Sequence, residues 1–409
     1  MNNRQIFELA LGAISPWYIE DISLPEVGDQ QRELHIHLNF EPGSTFVDEY
    51  GEPCKAYDTA RHTWRHLNFF QYKCFLHAPV PRITDSKGNI KKVVVPWARR
   101  NNGFTLLFES HIMMLIQLEM TVSSVAKLVD ENSQRIWHTF SHYVEKAKAE
   151  MDDSEITSIG IDETSKRKGH DYITVGVDLQ THRVFKVVEG KDASAVAELA
   201  EHLEENGSDP LAVEKVCIDM SRAFISGVGQ SFPNAQVSFD RFHIAKEVNK
   251  AMDVLRKAEQ QEFKAIKGYR YIFLKNKENL SKSKLDDLYQ MIKLYPKLGE
   301  GYRLKSLFRE LWDFKDPRQA ELFLVDWCKQ ALDSGIIPFQ KLVSTIRAHW
   351  DGIVNAVKSQ INNGVLEGIN SKIQLAKKRA RGYRNVNNFI NMIYFLCGKL
   401  NFTYPHSFT

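Results

Sequence analysis

Three carboxylates stand apart from the other acids of this 409-residue chain. Asp162 closes the apolar stretch "SIGID", and Asp219 closes a second one, "VCID". Glu367 is the single acid between Lys358 and Thr409, a segment with eight Lys or Arg and hence a net charge of +7. An acid at the end of an apolar strand is held at the edge of a core, and two such acids on neighbouring strands repel each other unless a cation joins them. The cation that suits oxygen ligands alone is a hard divalent ion that keeps some of its waters. Three carboxylates with two such ions about 4 Å apart suit in-line phosphoryl transfer, one ion activating a water or a 3′-hydroxyl and the other stabilising the leaving oxygen. No nucleophilic Ser or Cys motif suggests a covalent alternative. The expected cofactor is therefore Mg2+ or Mn2+, two ions per site.

The elements that must position these acids can be read from periodicity. Over residues 155–245, "ITSIGID", "DYITVGVDL" and "HRVFKVVEG" alternate as three strands close enough to pair as hairpins. "DASAVAELAEHLEENG" follows as an amphipathic helix ended by Gly207. Strand "AVEKVCIDM", helix "SRAFISGVGQSFP" and strand "AQVSFD" complete a mixed α/β layer. Residues 246 to about 355 keep only helical periodicity, with breaks at "YPKLGEGY", "KDPRQ" and "SGIIPF". A last helix, "NNGVLEGINSKIQLAKKRA", carries Glu367, with Asn362 or Asn363 as its expected cap.

Upstream, residues 104–148 predict three helices. Thr121 is the expected cap of the second, and Asn132 or Ser133 leads into the third. A short helix, a tight turn and a longer helix have the shape of a helix-turn-helix. Ala126, Ile136 and Phe140 fall where its helices must meet, and Asp130 stands where a turn glycine is usual. Candidate base-reading residues lie between Ser133 and His142, foremost Gln134, Arg135 and His138. Residues 30–98 read mainly as β: "LHIHLNF", "KCFLHAPV" and "KKVVVPW" are strand candidates. Between them, "RHTWRHLNFFQYK" interleaves aromatic and basic residues, either as a nucleic-acid surface or as core filling by Trp64, Phe69 and Phe70.

The whole chain has 54 Lys and Arg against 51 Asp and Glu, a net charge of only +3, so the basic character is local. Local basic segments are phosphate-contacting candidates: Lys166, Arg167 and Lys168 just past Asp162, and Lys377, Lys378, Arg379, Arg381 and Arg384 after Glu367. Five scattered cysteines do not form a disulfide framework and fit a reducing cytosol. There is no apolar run long enough for a membrane span, and "MNNRQIFELALGAISPWYIED" does not read as a signal peptide. The expectation is a cytoplasmic, nucleoid-associated bacterial protein without a membrane partner.

Three blocks, "GIDETSKRKGHDYITVGVD", "CIDMSRAFISGVGQSFPNAQVSFDRFHI" and "NGVLEGINSKIQLAKKRARGYRN", resemble in order, wording and spacing the signature blocks of bacterial DDE transposases of the ISL3 insertion-sequence family. The resemblance runs from about residue 45 to 400. It implies an α/β fold: an RNase H-like catalytic core with a large all-helical insertion, preceded by a small β-rich module and a helix-turn-helix. The expected division is 1–100 for the β-rich module and 101–150 for the helix-turn-helix. The core would occupy 151–245 and 358–409, with the insertion at 246–357. Asp162, Asp219 and Glu367 match the two Asp and the Glu of the family. Asp240, in "DRFH", is the rival for second acid, ranked lower because Asp219 ends the strand expected beside that of Asp162. His243 matches a histidine kept near the site in related transposases, which implies a supporting contact. Asn370 falls one turn after Glu367 on the same helix face, within reach of substrate or a metal-held water. Glu163 is left outside the triad, since alternation points it away from Asp162.

The chain departs from the family where relatives carry a zinc module. Val47 and Tyr50 occupy ligand positions, "RITDSKGN" has neither Cys nor His, and Cys54, Cys74, His62, His66 and His77 lack a recognised spacing. No structural zinc is expected. The implied activity is binding of an element's terminal inverted repeats, metal-dependent cleavage, and joining of the freed 3′ end to target DNA. The implied partners are double-stranded DNA and a second copy in a homodimer or larger synaptic complex. The alternatives are a domesticated DNA-binding regulator and a structure-specific nuclease on the same fold.

Overall fold

The structure is a computed structural model and describes residues 11, 15–24, 33–166, 171–359 and 364–404. The chain divides into two compact units, one of residues 1–147 with 401–409, the other of residues 148–400.

In the first unit six strands form one sheet: β1 (Trp17–Ser23), β2 (Glu33–Phe40), β3 (Thr45–Val47), β4 (Pro53–Phe69), β5 (Tyr72–Thr84) and β6 (Ile90–Lys92). Their order is β1-β2-β5-β4-β3, with β6 also on β5. The alternation in "LHIHLNF" is real: Leu34, Ile36 and Leu38 are buried while the histidines between them are half-buried. They pack with Trp17, Trp64 and Trp97, whose rings meet edge to face. Two strand readings shift. "RHTWRHLNF" is no connector but the second half of the 17-residue β4. Its alternation is hidden because a buried cation, Arg65, follows buried Trp64. In "KKVVVPW" only Lys91 and Lys92 belong to a strand, with the Val93 N–H still donating to the Pro81 carbonyl at 2.9 Å, and Pro96 has no N–H to carry a ladder onward. Trp64 is core, whereas Phe69 and Phe70 are exposed at the β4–β5 turn.

Among the described residues, three helices follow the sheet in this unit: α1 (Leu106–Gln117), α2 (Val122–Leu128) and α3 (Ser133–Ala149). Thr121 caps α2 by accepting from the Ser124 N–H, and Asn132 accepts the Gln134 N–H at the start of α3. Ala126, Ile136 and Phe140 are buried between the helices. Asp130 has φ +52°, so it takes the left-handed conformation that the absent glycine would have supplied. Buried Glu109 on α1 fixes the packing, accepting from Arg99, Asn102 and the Tyr143 hydroxyl.

The second unit is built on a five-stranded sheet: β7 (Ser158–Ser165), β8 (Tyr172–Asp178), β9 (Arg183–Glu189), β10 (Lys215–Ile218) and β11 (Gln236–Phe239), in the order β11-β10-β7-β8-β9. β7, β8 and β9 are antiparallel hairpins, and β10 and β11 run parallel to β7. Helices α4 (Ala193–Glu205) and α5 (Arg222–Ser231) pack with the Ile159 and Ile161 side of β7. Among the described residues eight further α-helices follow: α6 (Arg241–Glu262), α7 (Arg270–Leu274), α8 (Lys282–Leu294), α9 (Pro296–Phe308), α10 (Pro317–Asp333), α11 (Ile337–Ala348), α12 (Trp350–Ser359) and α13 (Gly364–Arg379). A ninth, α14 (Val386–Cys397), closes on β9, where the Tyr394 hydroxyl accepts from the Val187 N–H. The helical stretch therefore lies between β11 and α13, as the periodicity predicts, and its breaks fall at Pro296, Pro317 and Gly335. The cap expected at Asn362 or Asn363 lies outside the described residues.

Candidate active site

α13 runs along β7 on the face opposite Ile159 and Ile161. A methyl group on Gly160 would sit 2.8 Å from Leu366 Cδ2, so a larger residue there would push the Leu366 side chain out of its present position. From there the contacts climb both elements in step. Asn370 Nδ2 donates to Asp162 Oδ2, Gln374 Nε2 donates to Thr164 Oγ1 at 2.6 Å, and Lys377 Nζ reaches Ser165. Residues 366, 370, 374 and 377 share one helix face, and 160, 162 and 164 share one strand face. The two periodicities meet at Asp162.

The strand register aligns the other acids. β10 pairs with β7 through Cys217↔Gly160, and that register carried two residues onward sets Asp219 opposite Asp162. β11 pairs with β10 through Ile218↔Phe239, and one residue further sets Asp240 opposite Asp219. The Asp240 N–H donates to the Ile218 carbonyl at 2.9 Å, so the ladder reaches Asp240. Neighbouring strands lie about 4.8 Å apart. Asp219 and Asp240 thus directly follow β10 and β11, whereas Asp162, expected at a strand end, lies within β7, which runs on to Ser165 paired with β8 while β10 stops short.

A cavity of about 730 Å³ opens over this edge. Asp162, Asp240, His243, Glu367 and Asn370 line it; Asp219 is not among its lining residues. One Asp219 oxygen accepts the Ser221 N–H at 2.9 Å, an interaction that shapes the start of α5. Asp240 caps α6 by accepting the Phe242 N–H at 2.8 Å. Glu367 is exposed in the first turn of α13. Glu163 also borders the cavity, and its N–H donates to Asp162 Oδ1 at 2.7 Å.

Burial pushes the Asp162 carboxyl up to about 6, with Asp240 adding to the rise; the Glu163 N–H, His243 and Asn370 pull the other way. A half-buried carboxylate near another acid is chemistry that a divalent cation satisfies, although among the described residues no three ligand side chains converge closely enough to form a metal cluster as they stand. All the candidate ligands are carboxylate oxygens, which suits Mg2+ or Mn2+ and not a soft metal.

The cavity has a wall that sequence reasoning missed. Asn276, Lys305, Phe308, Arg309 and Trp312 reach it from the helical stretch. The Lys305 Nζ is buried and donates to the carbonyls of Phe273 and Lys275 at 3.0 and 2.8 Å, and burial pushes it down to about 8. The available signal was a lysine on the apolar stripe of α9, beside Leu304 and Phe308.

The DNA-contact candidates separate by what they touch. Gln134 and His138 are exposed on α3. Arg135 is exposed too, but its guanidinium bonds Glu131 and the Gly103 carbonyl and stacks 4.0 Å over Phe104, which makes it an anchor of the helix-turn-helix. Lys166 pairs with Glu189; Arg167 and Lys168 lie outside the described residues. Lys377 is tied to Ser165, whereas Lys378, Arg379, Arg381 and Arg384 are exposed at the end of α13 and beyond it.

Known proteins provide an independent comparison. The family model for DDE transposases of the ISL3 type, described as "Transposase", matches residues 159–393. A second, described as "Helix-turn-helix domain of transposase family ISL3", matches residues 93–144. The chain is 26% identical over 404 residues to the transposase for insertion sequence element IS1001 of Bordetella parapertussis, covering 95% of this chain and 97% of that one. It is likewise 26% identical over 426 residues to the transposase for IS1557 of Mycobacterium tuberculosis, covering 94% and 93%.

Proposed function

Because this chain belongs to the ISL3 family of transposases, with a match over residues 159–393, we propose that it cuts the ends of its own insertion sequence and joins them to target DNA at the Asp162, Asp219 and Glu367 edge. The helix-turn-helix makes it a DNA-binding transposase. The finer reading is an RNase H-like core in which Asp162, Asp219 and Glu367 hold two Mg2+ or Mn2+ ions. The observation that carries it is the row of acids: the β7, β10 and β11 register aligns Asp162, Asp219 and Asp240, and α13 presents Glu367 to the cavity that Asp162 lines.

Bound there, divalent ions would neutralise the phosphate and lower the pKa of an attacking water or hydroxyl. The chain supplies the rest. Asn370 and the Glu163 N–H fix the two Asp162 oxygens so that they do not turn away from the cavity. Asp240 holds the start of α6 and with it His243, which is placed to touch substrate. Gln134 and His138 read element-end bases, and Lys378, Arg379, Arg381 and Arg384 contact phosphates. The reaction joins two ends, so the working form is a homodimer or larger synaptic complex, acting on DNA in the cytoplasm at the nucleoid.

The test uses a labelled element end with Mg2+ or Mn2+. Asp162→Asn, Asp219→Asn and Glu367→Gln should each abolish both cleavage and joining. Joining that survives in Asp219→Asn but not in Asp240→Asn would move the second ligand to Asp240, which the cavity favours. Cleavage without joining by the native protein would point to a nuclease.

A further inference from the structure

The acid edge accounts for a phosphate and its cations, but not for the aromatic surface in the same cavity. Phe242 follows Asp240 and Arg241 at the second residue of α6, and it lines the cavity while 62% exposed. A lone exposed phenylalanine is unremarkable on a protein surface; one rooted beside the acids is not placed by solubility. The Phe242 N–H is bound to the Asp240 carboxylate at 2.8 Å, which fixes the root of the ring against the sheet edge. Trp312 borders the same cavity from the helical stretch, with the Arg241 guanidinium 5.1 Å from its ring centre. Arg309, also at the rim, is half-exposed and pairs with half-exposed Glu278, a pairing that phosphate can readily replace. Acids, cations and ring faces together match a whole nucleotide rather than a bare phosphodiester. Bases taken out of a duplex are held by stacking on aromatic side chains, and this is tolerant of sequence because every base has a π-face.

We propose that Phe242 is a positioning residue: its ring stacks on an unpaired base of a nucleotide flanking the cleaved bond and so holds the scissile phosphate over the acids. This rests on the active-site reading above. The ring makes no bond to a reacting atom; it offsets the cost of unstacking the base, so its contribution vanishes when that base is missing.

The experiment measures cleavage of the element-end duplex by the full-length protein with Mg2+, using wild type, Phe242→Ala and Phe242→Trp. An abasic site is walked through the two nucleotides on each side of the cleaved bond. Phe242→Ala should cut the intact end roughly tenfold to a hundredfold more slowly. At one abasic position it should match wild type, and Phe242→Trp should retain most of the activity on every substrate. An Ala variant equal to wild type on the intact end overturns the proposal. So does an Ala defect that is equally large at every abasic position, since no base is then involved. Asp162→Asn is run in parallel: residual cleavage by that variant would overturn the active-site reading itself, and the proposal with it, whatever Phe242 does.

Discussion

Asp162 combines two demands that oppose each other. Its place between β7 and α13 holds it still, and the same burial disfavours its charge, raising its carboxyl to about 6. In metal-free protein the folded state therefore holds the Asp162 proton more tightly than the unfolded chain does. That stabilisation is complete below about pH 4 and is lost as the pH rises through 6. Asp162→Asn, neutral at every pH, should stabilise the chelator-treated protein at pH 7.5 by up to about 3 kcal/mol, and the gain should vanish at pH 4 in denaturant titrations. Asn370→Ala removes a donor to the charged form and so raises Asp162 further. The acid limb of the cleavage-rate profile should move to higher pH, with a loss of roughly tenfold near neutrality. An unmoved limb would show that Asn370 does not tune Asp162.

At the scale of elements, the turn of the helix-turn-helix shows how a local rule can be met by an unexpected residue. Asp130 adopts φ +52° and pairs with Lys73 on β5. Asp130→Gly should lie within about 0.5 kcal/mol of wild type, because relief of the left-handed backbone offsets loss of an exposed ion pair. Asp130→Val should cost about 1–2 kcal/mol, measured by thermal melts and by loss of element-end binding. Much of this scale was legible. Thr121, Asn132, the breaks at Pro296 and Pro317, and the strand–helix order around Asp162 follow from caps, prolines and periodicity that act within a few residues. What escaped notice is long-range. β4 was obscured because Arg65 is buried by contacts with Phe75 and Phe108 that no local pattern announces. The Lys305 and Trp312 wall depends on how helices far along the chain fold back over the sheet. The acids themselves were visible because each closes a local apolar run, whereas Asp219 and Asp240 are separated by long-range features that disagree: strand order puts β10 and Asp219 beside β7, and the cavity is lined by Asp240.

Across the whole molecule, charge is distributed by task and not by sum. The chain is nearly neutral at +3, so attraction to DNA rests on local groups, and affinity should fall steeply with salt. Lys378→Ala and Arg381→Ala should each weaken binding to all DNA sequences alike and reduce the slope of log K against log salt by about 1. Lys377→Ala should behave differently: its amine holds Ser165 at the end of β7, so the variant should lose cleavage while its salt slope stays as in wild type. Filter binding at several salt concentrations separates the two classes.

The order in which the acids leave the ribosome has its own effect. β7, β10 and β11, with Asp162, Asp219 and Asp240, are contiguous within residues 158–240, but Glu367 comes more than a hundred residues later. At ordinary bacterial synthesis speeds this delay is on the order of ten seconds. A chain that ends between those points lacks Glu367 together with α13, which runs along β7, and α14, which closes on β9. Completion of the acid edge and covering of its sheet are therefore the same late event in synthesis.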